Sequence, residues 1–271
     1  MKNHSIVALI ALLTSLSSAP VAAQGAPQTI TIPLSMPGEP MTLDISIQSA
    51  RIEVIGEDRQ DAEFSVTVEE GSRKIITPSG AQSIPGGSYS LEIDEDDNRV
   101  SVDTDWRANR MNIVARIPRR ANLELSTVND GEIIVSNVEG NLELDNINGP
   151  ITATNIAGSV IAESINDTIN IEFTSLDTSN AMALLSLNGD LILGLPANVG
   201  AQLHLDTSEG EIYSDFEVDI QASAPVIERR DDRGGVEVRV ENAIVANVNG
   251  GGPVIRLKTL NGDINITKSG N

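Results

Sequence analysis

The chain has 271 residues, 18 basic against 39 acidic, and a formal net charge of −21. A field of that sign repels nucleic acid backbones and anionic lipid, so neither is an expected partner. It has no cysteine, so it can form neither a disulfide nor a thiolate metal centre, and only 2% of its residues are aromatic.

Residues 1–23 read as a cleaved signal peptide. Lys2 gives a positive start, Ile6 to Leu16 is an apolar run, and Val21-Ala22-Ala23 supplies the small residues for cleavage before Gln24. The run is too short to span a bilayer as a helix, and no later run is long or apolar enough, so no transmembrane anchor is expected. The mature chain, residues 24–271, should be exported to a periplasm or the exterior as a single β-repeat domain, one charge unit more negative than the whole because Lys2 leaves with the leader.

Residues 24–120 read as strands with irregular turns, either longer rungs or a cap. Thr29–Leu34, Met41–Ile47, Arg51–Ile55, Glu63–Val68, Tyr89–Ile93, Arg99–Asp103 and Met111–Ile117 alternate, with Ser79-Gly80 and Pro85-Gly86-Gly87 as punctuation. Residues 121–215 are regular. One template returns there, and once more in residues 253–271: apolar, x, apolar, x, x, apolar, Asn, Gly, x, apolar, x, apolar. The Asn slot is filled by Asn129, Asn148, Asn166, Asn188 and Asn261, with Glu209 in a degenerate copy, and the first five of these positions in chain order, Glu209 included, step by 19, 18, 22 and 21 residues. A fixed period near twenty marks a repeat architecture.

Six before the Asn slot stand Leu123, Leu142, Val160, Met182, Leu203 and Ile255, and four before it Leu125, Leu144, Ala162, Leu184, Leu205 and Leu257. One before stand Val128, Ile147, Ile165, Leu187, Ser208 and Leu260. The slots three and five after, with a one-residue slip in the first copy, are apolar throughout except Ser214. Spacing of two means strands, because alternate side chains share a face. Each repeat is then two strands joined at Asn-Gly. A stack of hairpins would use Asn-Gly in type I′ turns, and a β-solenoid would use it at a corner. The constant period favours the solenoid, with apolar columns inside and a ladder of Asn side chains at the corner. Asn148-Gly149 and Asn188-Gly189 are expected at positive φ, and Leu144, Ile147, Ile169, Leu184 and Leu191 in the core, with Glu143 and Asp145 facing water. Residues 216–252 are an excursion: Glu228–Gly235 reads as a charged turn, Val236–Val240 as a strand, and Asn249-Gly250-Gly251-Gly252-Pro253 breaks the backbone before the last repeat.

Ile117-Pro118 leading into the ladder, the Asn-Gly strand pairs and Leu195-Pro196-Ala197 before Leu203–Thr207 form one ordered set with Gly250-Gly251-Gly252-Pro253 and the closing Leu260-Asn261-Gly262-Asp263-Ile264-Asn265-Ile266. In their order and spacing they resemble the bacterial "putative adhesin" family of β-strand-repeat domains, whose biochemical function is unknown. The resemblance covers most of the mature chain. It implies an all-β, solenoid-like cell-envelope protein and carries no catalytic residue.

The residues themselves give no catalytic, cofactor-binding or metal site. With His4 in the leader, His204 is the only mature histidine, in an outward slot between Leu203 and Leu205. It is one short of the two nitrogen ligands that zinc usually takes, and a solvated strand histidine is favoured. Asp94, Asp96, Asn98 and Asp105 fall at calcium-loop positions, but Arg99 stands where that loop needs Gly, so a charged hairpin turn is favoured. Asp103, Asp105 and Trp106 could make a sugar subsite, and the blander reading is a strand end. Arg107, Arg110, Arg116, Arg119 and Arg120 could seat an anionic polymer, and pairing with acids of neighbouring strands is favoured. Asn166-Asp167-Thr168 and Asn265-Ile266-Thr267 match a glycosylation sequon and read as repeat corners.

Three function classes follow. The first is a non-enzymatic, adhesin-like envelope protein offering a β surface to an envelope protein or polysaccharide, or to a second copy. The second is a polysaccharide-active β-helix enzyme, and the third a divalent-cation-loaded structural protein. The first is preferred. Ile161, Ala183, Leu185 and Ile192 are apolar in outward slots; cover by the N-terminal strands or by the 216–252 excursion is favoured, and a docking face is the alternative.

Overall fold

The structure, a computed structural model, describes residues 28–68, 91–104, 110–129, 131–177, 179–221, 226–232, 235–241 and 244–269. The leader, the turns at Ser79-Gly80 and Pro85–Gly87, and Asp105, Trp106 and Arg107 lie outside them. Among the described residues there is no helix, and twenty strands join through their ladders into one sheet, while two others form a separate two-stranded sheet.

The N-terminal part holds β1 (Gln28–Pro33), β2 (Met41–Ile47), β3 (Ala50–Glu57), β4 (Asp61–Val68), β5 (Leu91–Asp96), β6 (Arg99–Thr104) and β7 (Met111–Pro118). The regular part holds β8 (Ala121–Thr127), β9 (Ile133–Ser136), β10 (Glu139–Asn146), β11 (Ile151–Ser164), β12 (Ile169–Leu176), β13 (Met182–Ser186), β14 (Leu191–Leu195), β15 (Ala201–Thr207) and β16 (Ile212–Ser214). Then follow β17 (Val218–Gln221), β18 (Val226–Asp232), β19 (Gly235–Glu241), β20 (Ile244–Val248), β21 (Val254–Thr259) and β22 (Ile264–Lys268).

The two strands of a repeat do not pair with each other. Each pairs, parallel and in register, with its counterpart in a neighbouring repeat: Leu144 lies opposite Leu125 and Ala162, and Ile169 opposite Ile151 and Leu191. Like slots therefore sit beside like slots, and the inward columns are buried except in the fifth repeat, where Ile212 is half-buried and Ser214 exposed. Leu123, Leu144, Ile169, Leu184 and Leu191 are all within 1% of complete burial. Glu143 and Asp145 face out as expected.

The order in space departs from the order along the chain at both ends. Among the regular repeats, β21 sits between β13 and β15, and β22 between β14 and β16. The last repeat of the sequence is thus threaded between the fourth and fifth. At the other end β2 sits between β6 and β8, and β3 between β7 and β9. Antiparallel strands flank both ends: β5 beside β6, β4 and β1 beyond β7, β20 and β17 beyond β15.

Three sequence expectations are corrected. Glu228–Asp232 is strand, not turn. It is part of β18, whose register on β19 sets Glu228 opposite Arg239 and Arg230 opposite Glu237. Ile147 is not core but 39% exposed. It stands an odd number of residues from Leu144, and strand alternation sends such residues to opposite faces. The inward position on that side is Asn146, in a buried polar column with Thr127, Ser164 and Thr259.

The third correction concerns the glycines. Gly149 has a positive φ, 158°, as expected, but Gly189 does not. Both are glycine because a Cβ would strike the next strand connection: it would stand 1.7 Å from the Gly131 carbonyl oxygen at Gly149, and 2.0 Å from that of Asp167 at Gly189. Left-handed backbone occurs instead at the opposite turn of the repeat, at Asn137 (φ 60°) and Asn155 (φ 56°), where Asn155 Nδ2 donates to Asn137 Oδ1 at 3.3 Å. Asn tolerates that region because its short side chain bonds locally.

Candidate interaction surface at the asparagine corner

The turns at Asn148, Asn166, Asn188 and Asn261 stack into a corner held by side-chain amides. Asn148 Nδ2 donates to the Val128 carbonyl at 3.0 Å, Asn166 Nδ2 to Asn148 Oδ1 at 2.8 Å, Asn188 Nδ2 to Asn166 Oδ1 at 2.9 Å, and Asn261 Nδ2 to Asn188 Oδ1 at 2.7 Å. The expected Asn ladder is present, and it runs through the threaded last repeat. Beneath it, Thr259 Oγ1 donates to the Gly189 carbonyl and Thr207 Oγ1 to that of Gly262. These bonds fix the rotation of each turn, and with it the direction of the residue just before each Asn.

That residue is apolar and exposed. Ile147, Ile165, Leu187 and Leu260 are 39%, 41%, 45% and 43% exposed on four successive repeats. Backbone bonds from Asn166 N to Ile147 O, Asn188 N to Ile165 O and Asn261 N to Leu187 O hold them one above another. At about 4.8 Å per strand spacing they form a ridge roughly 14 Å long. Beside it lies a groove of about 440 Å³ bordered by Ile147, Ile165, Leu185 and Leu187, with Asp145 and Glu163 on its rim.

Asp145 lies opposite Glu163 across the β10–β11 ladder. Asp145 is exposed by surface area, yet neighbouring atoms crowd its carboxyl. That crowding, and then the Glu163 charge, raise its pKa. Ser164 Oγ and Asn146 Oδ1, from the strands under the groove, are buried without a hydrogen-bond partner among the described residues.

The alternative docking face is divided. Ile161, Ala183 and Leu185 lie on β11 and β13, and Ile192 on β14, in the other ladder of the repeat. All four are half-buried. The corner residues Ile147, Ile165 and Leu187, read from the sequence as core, are more exposed than these four. The signal that could have found them is the odd spacing from the buried Leu and Ala slots.

The remaining candidates are not brought together. His204 is half-buried on β15, with Nε2 3.4 Å from Gln202 Oε1. Asp97 (φ 48°) and Asn98 (φ 61°) make the turn between β5 and β6, and the Asn98 side chain is used on Met36: Oδ1 accepts Met36 N–H and Nδ2 donates to Met36 O, both at 2.7 Å. Glu95 accepts bonds from Ser35 N and Oγ, which lower its pKa. Asp94, Asp96 and Asp103 are exposed. Arg116 pairs with Glu57 and Glu63, and Arg120 Nη1 donates to the Gly38 carbonyl. Arg110 and Arg119 stand exposed. Arg99, outside the sequence cluster, bridges Asp44 and Glu124, whose bonds raise its pKa. Asn166 belongs to the corner ladder, and Asn265 is half-buried on β22.

Among the described residues no helix is long and apolar enough to cross a membrane. No protein-family model matches the chain, and no curated protein matches it. Solved structures do. A putative cell adhesion protein from Clostridium sporogenes aligns at 10% identity and a TM-score of 0.48, over 90% of this chain and 100% of that one. A putative adhesin from Bacteroides fragilis aligns at 11% and 0.40, over 90% and 97%, and a putative lipid binding protein from Parabacteroides distasonis at 15% and 0.31, over 90% and 98%. At these identities and scores the likenesses assign no function.

Proposed function

We propose that this chain is a non-enzymatic, adhesin-like protein of the cell envelope that binds a partner through the apolar ridge at its asparagine corner. We read its in-register repeats as a β-solenoid, and the signal-peptide pattern of residues 1–23 as the address that exports it. The observation that carries the binding role is the ridge itself. Four large aliphatic side chains, each about two-fifths exposed, are held in line by a hydrogen-bonded ladder. Outward slots on the first strands of the repeats include Glu124, Glu143, Asp145, Glu163 and Asp206, so the ridge runs beside a row of carboxylates. Contiguous exposed apolar surface of this kind marks interaction sites in soluble proteins.

The test is capture of envelope fractions and of a glycan panel by the mature protein, wild type against Ile165→Ser/Leu187→Ser. Both residues already face water, so the melting midpoint should stay put while capture is lost. A double variant that captures the same material as wild type would remove the ridge from the function.

A further inference from the structure

We infer that the groove beside the ridge accepts a basic, aliphatic peptide segment of a partner protein, with its apolar side chains on Ile147, Ile165 and Leu187 and its cations against Asp145 and Glu163. This rests on the ridge reading above and adds the chemistry of the occupant.

Charge carries the choice. On the outward side of these strands, Asp44 and Glu124 share Arg99, and Asp206 holds Lys258 at 2.8 Å. In the stretch next to the ridge, Glu143, Asp145 and Glu163 have no cation within ion-pair distance among the described residues. Asp145 and Glu163 sit directly opposite each other on adjacent strands, an unfavourable like-charge pair. The crowding that raises the Asp145 pKa places part of that repulsion outside full solvent screening. A lysine or arginine laid between the two carboxylates would remove the repulsion, and the aliphatic stem of that residue would lie along the isoleucines.

The same features weigh against other occupants. Among the described residues no aromatic side chain borders the groove to stack on a sugar. The net charge of −21 and the rim carboxylates repel anionic headgroups and nucleic acid. A second copy docking ridge to ridge across a two-fold would set the same carboxylates against each other.

The experiment titrates the full chain with short alternating Lys-Val, Glu-Val and Lys-Ser peptides, each dye-labelled. Lys-Val should bind, Lys-Ser should bind at least about tenfold more weakly, and Glu-Val should not bind. Asp145→Asn/Glu163→Gln should weaken Lys-Val about tenfold without lowering the melting midpoint, and added salt should weaken the wild-type complex. Equal binding of Lys-Val and Glu-Val, or full affinity in the Asp145→Asn/Glu163→Gln variant, overturns the inference. So does a ridge-dependent dimer in sedimentation, or ridge-dependent uptake by zwitterionic vesicles, in place of peptide binding. Loss of envelope capture in Ile165→Ser/Leu187→Ser, without any Lys-Val binding by wild type, overturns this inference and leaves the ridge reading intact.

Discussion

A methyl group added at Gly149 would meet the Gly131 carbonyl oxygen at 1.7 Å, backbone against backbone, with no flexible side chain to give way. Gly149→Ala should therefore cost about 2 kcal/mol or more, at the upper side of overpacking penalties. Gly38 is the control. It has φ +91° but nothing within 4 Å of an added Cβ, so Gly38→Ala should cost only about 1 kcal/mol. Urea denaturation of the two variants decides, and equal costs would mean the close approach at the corner is not what selects glycine. The sequence pointed to Gly149 and Gly189 correctly but for another reason. Asn-Gly signals a tight turn, and nothing local distinguishes a left-handed turn from one squeezed against a neighbouring repeat. Ile147 was legible in principle. Its odd distance from Leu144 places it outside, and only the habit of reading every periodic apolar residue as core hid it.

Between strands the outward columns carry the electrostatics. Asp145 and Glu163 face each other across β10 and β11, and the Asp145 pKa is raised in the fold, by crowding first and by Glu163 second. The folded state thus holds the Asp145 proton more tightly than the unfolded chain does. Ionising Asp145 then costs stability, so stability falls as pH rises through the raised value. Below the ordinary aspartate range the cost vanishes, because both states are protonated. Asp145→Asn should raise the melting midpoint at neutral pH, and the gap to wild type should close as the pH drops through the carboxylate range. A gap that widens on acidification would mean that the amide gains some other contact. The existence and pairing of these strands follow from period-two alternation, which is why β8 to β16 were readable from the sequence. The left-handed turns at Asn137 and Asn155 were not readable. Neither Asn is followed by Gly, and the second lies inside the unbroken strand assignment of β11. Their position becomes clear only once the neighbouring repeat is stacked on them.

At the scale of the whole molecule the unexpected feature is the threading of the last repeat. Because the repeats share one template, β21 and β22 fit between any two of them, and chain order does not say which. The long excursion through residues 216–252 lets the chain turn back and enter one place short of the end. The consequence is that β13 and β15, and likewise β14 and β16, meet only through the threaded strands. A terminal repeat of a stack contacts one neighbour, and its removal shortens the array. This one has a neighbour on each side, and Ile255, Leu257, Ile264 and Ile266 are each no more than 1% exposed. At ~1.5–3 kcal/mol for each fully buried aliphatic side chain, losing them removes roughly 6–12 kcal/mol, an upper estimate that is comparable to the whole stability of a typical domain. Truncation after Gly252 should therefore abolish the cooperative urea transition and leave the bare edges of β13 and β14 to drive aggregation. Size-exclusion chromatography and circular dichroism on the truncated chain give the answer. A monomer with a full β spectrum and the wild-type urea midpoint would show that the last repeat is an ornament at the edge rather than the piece that joins the fourth repeat to the fifth.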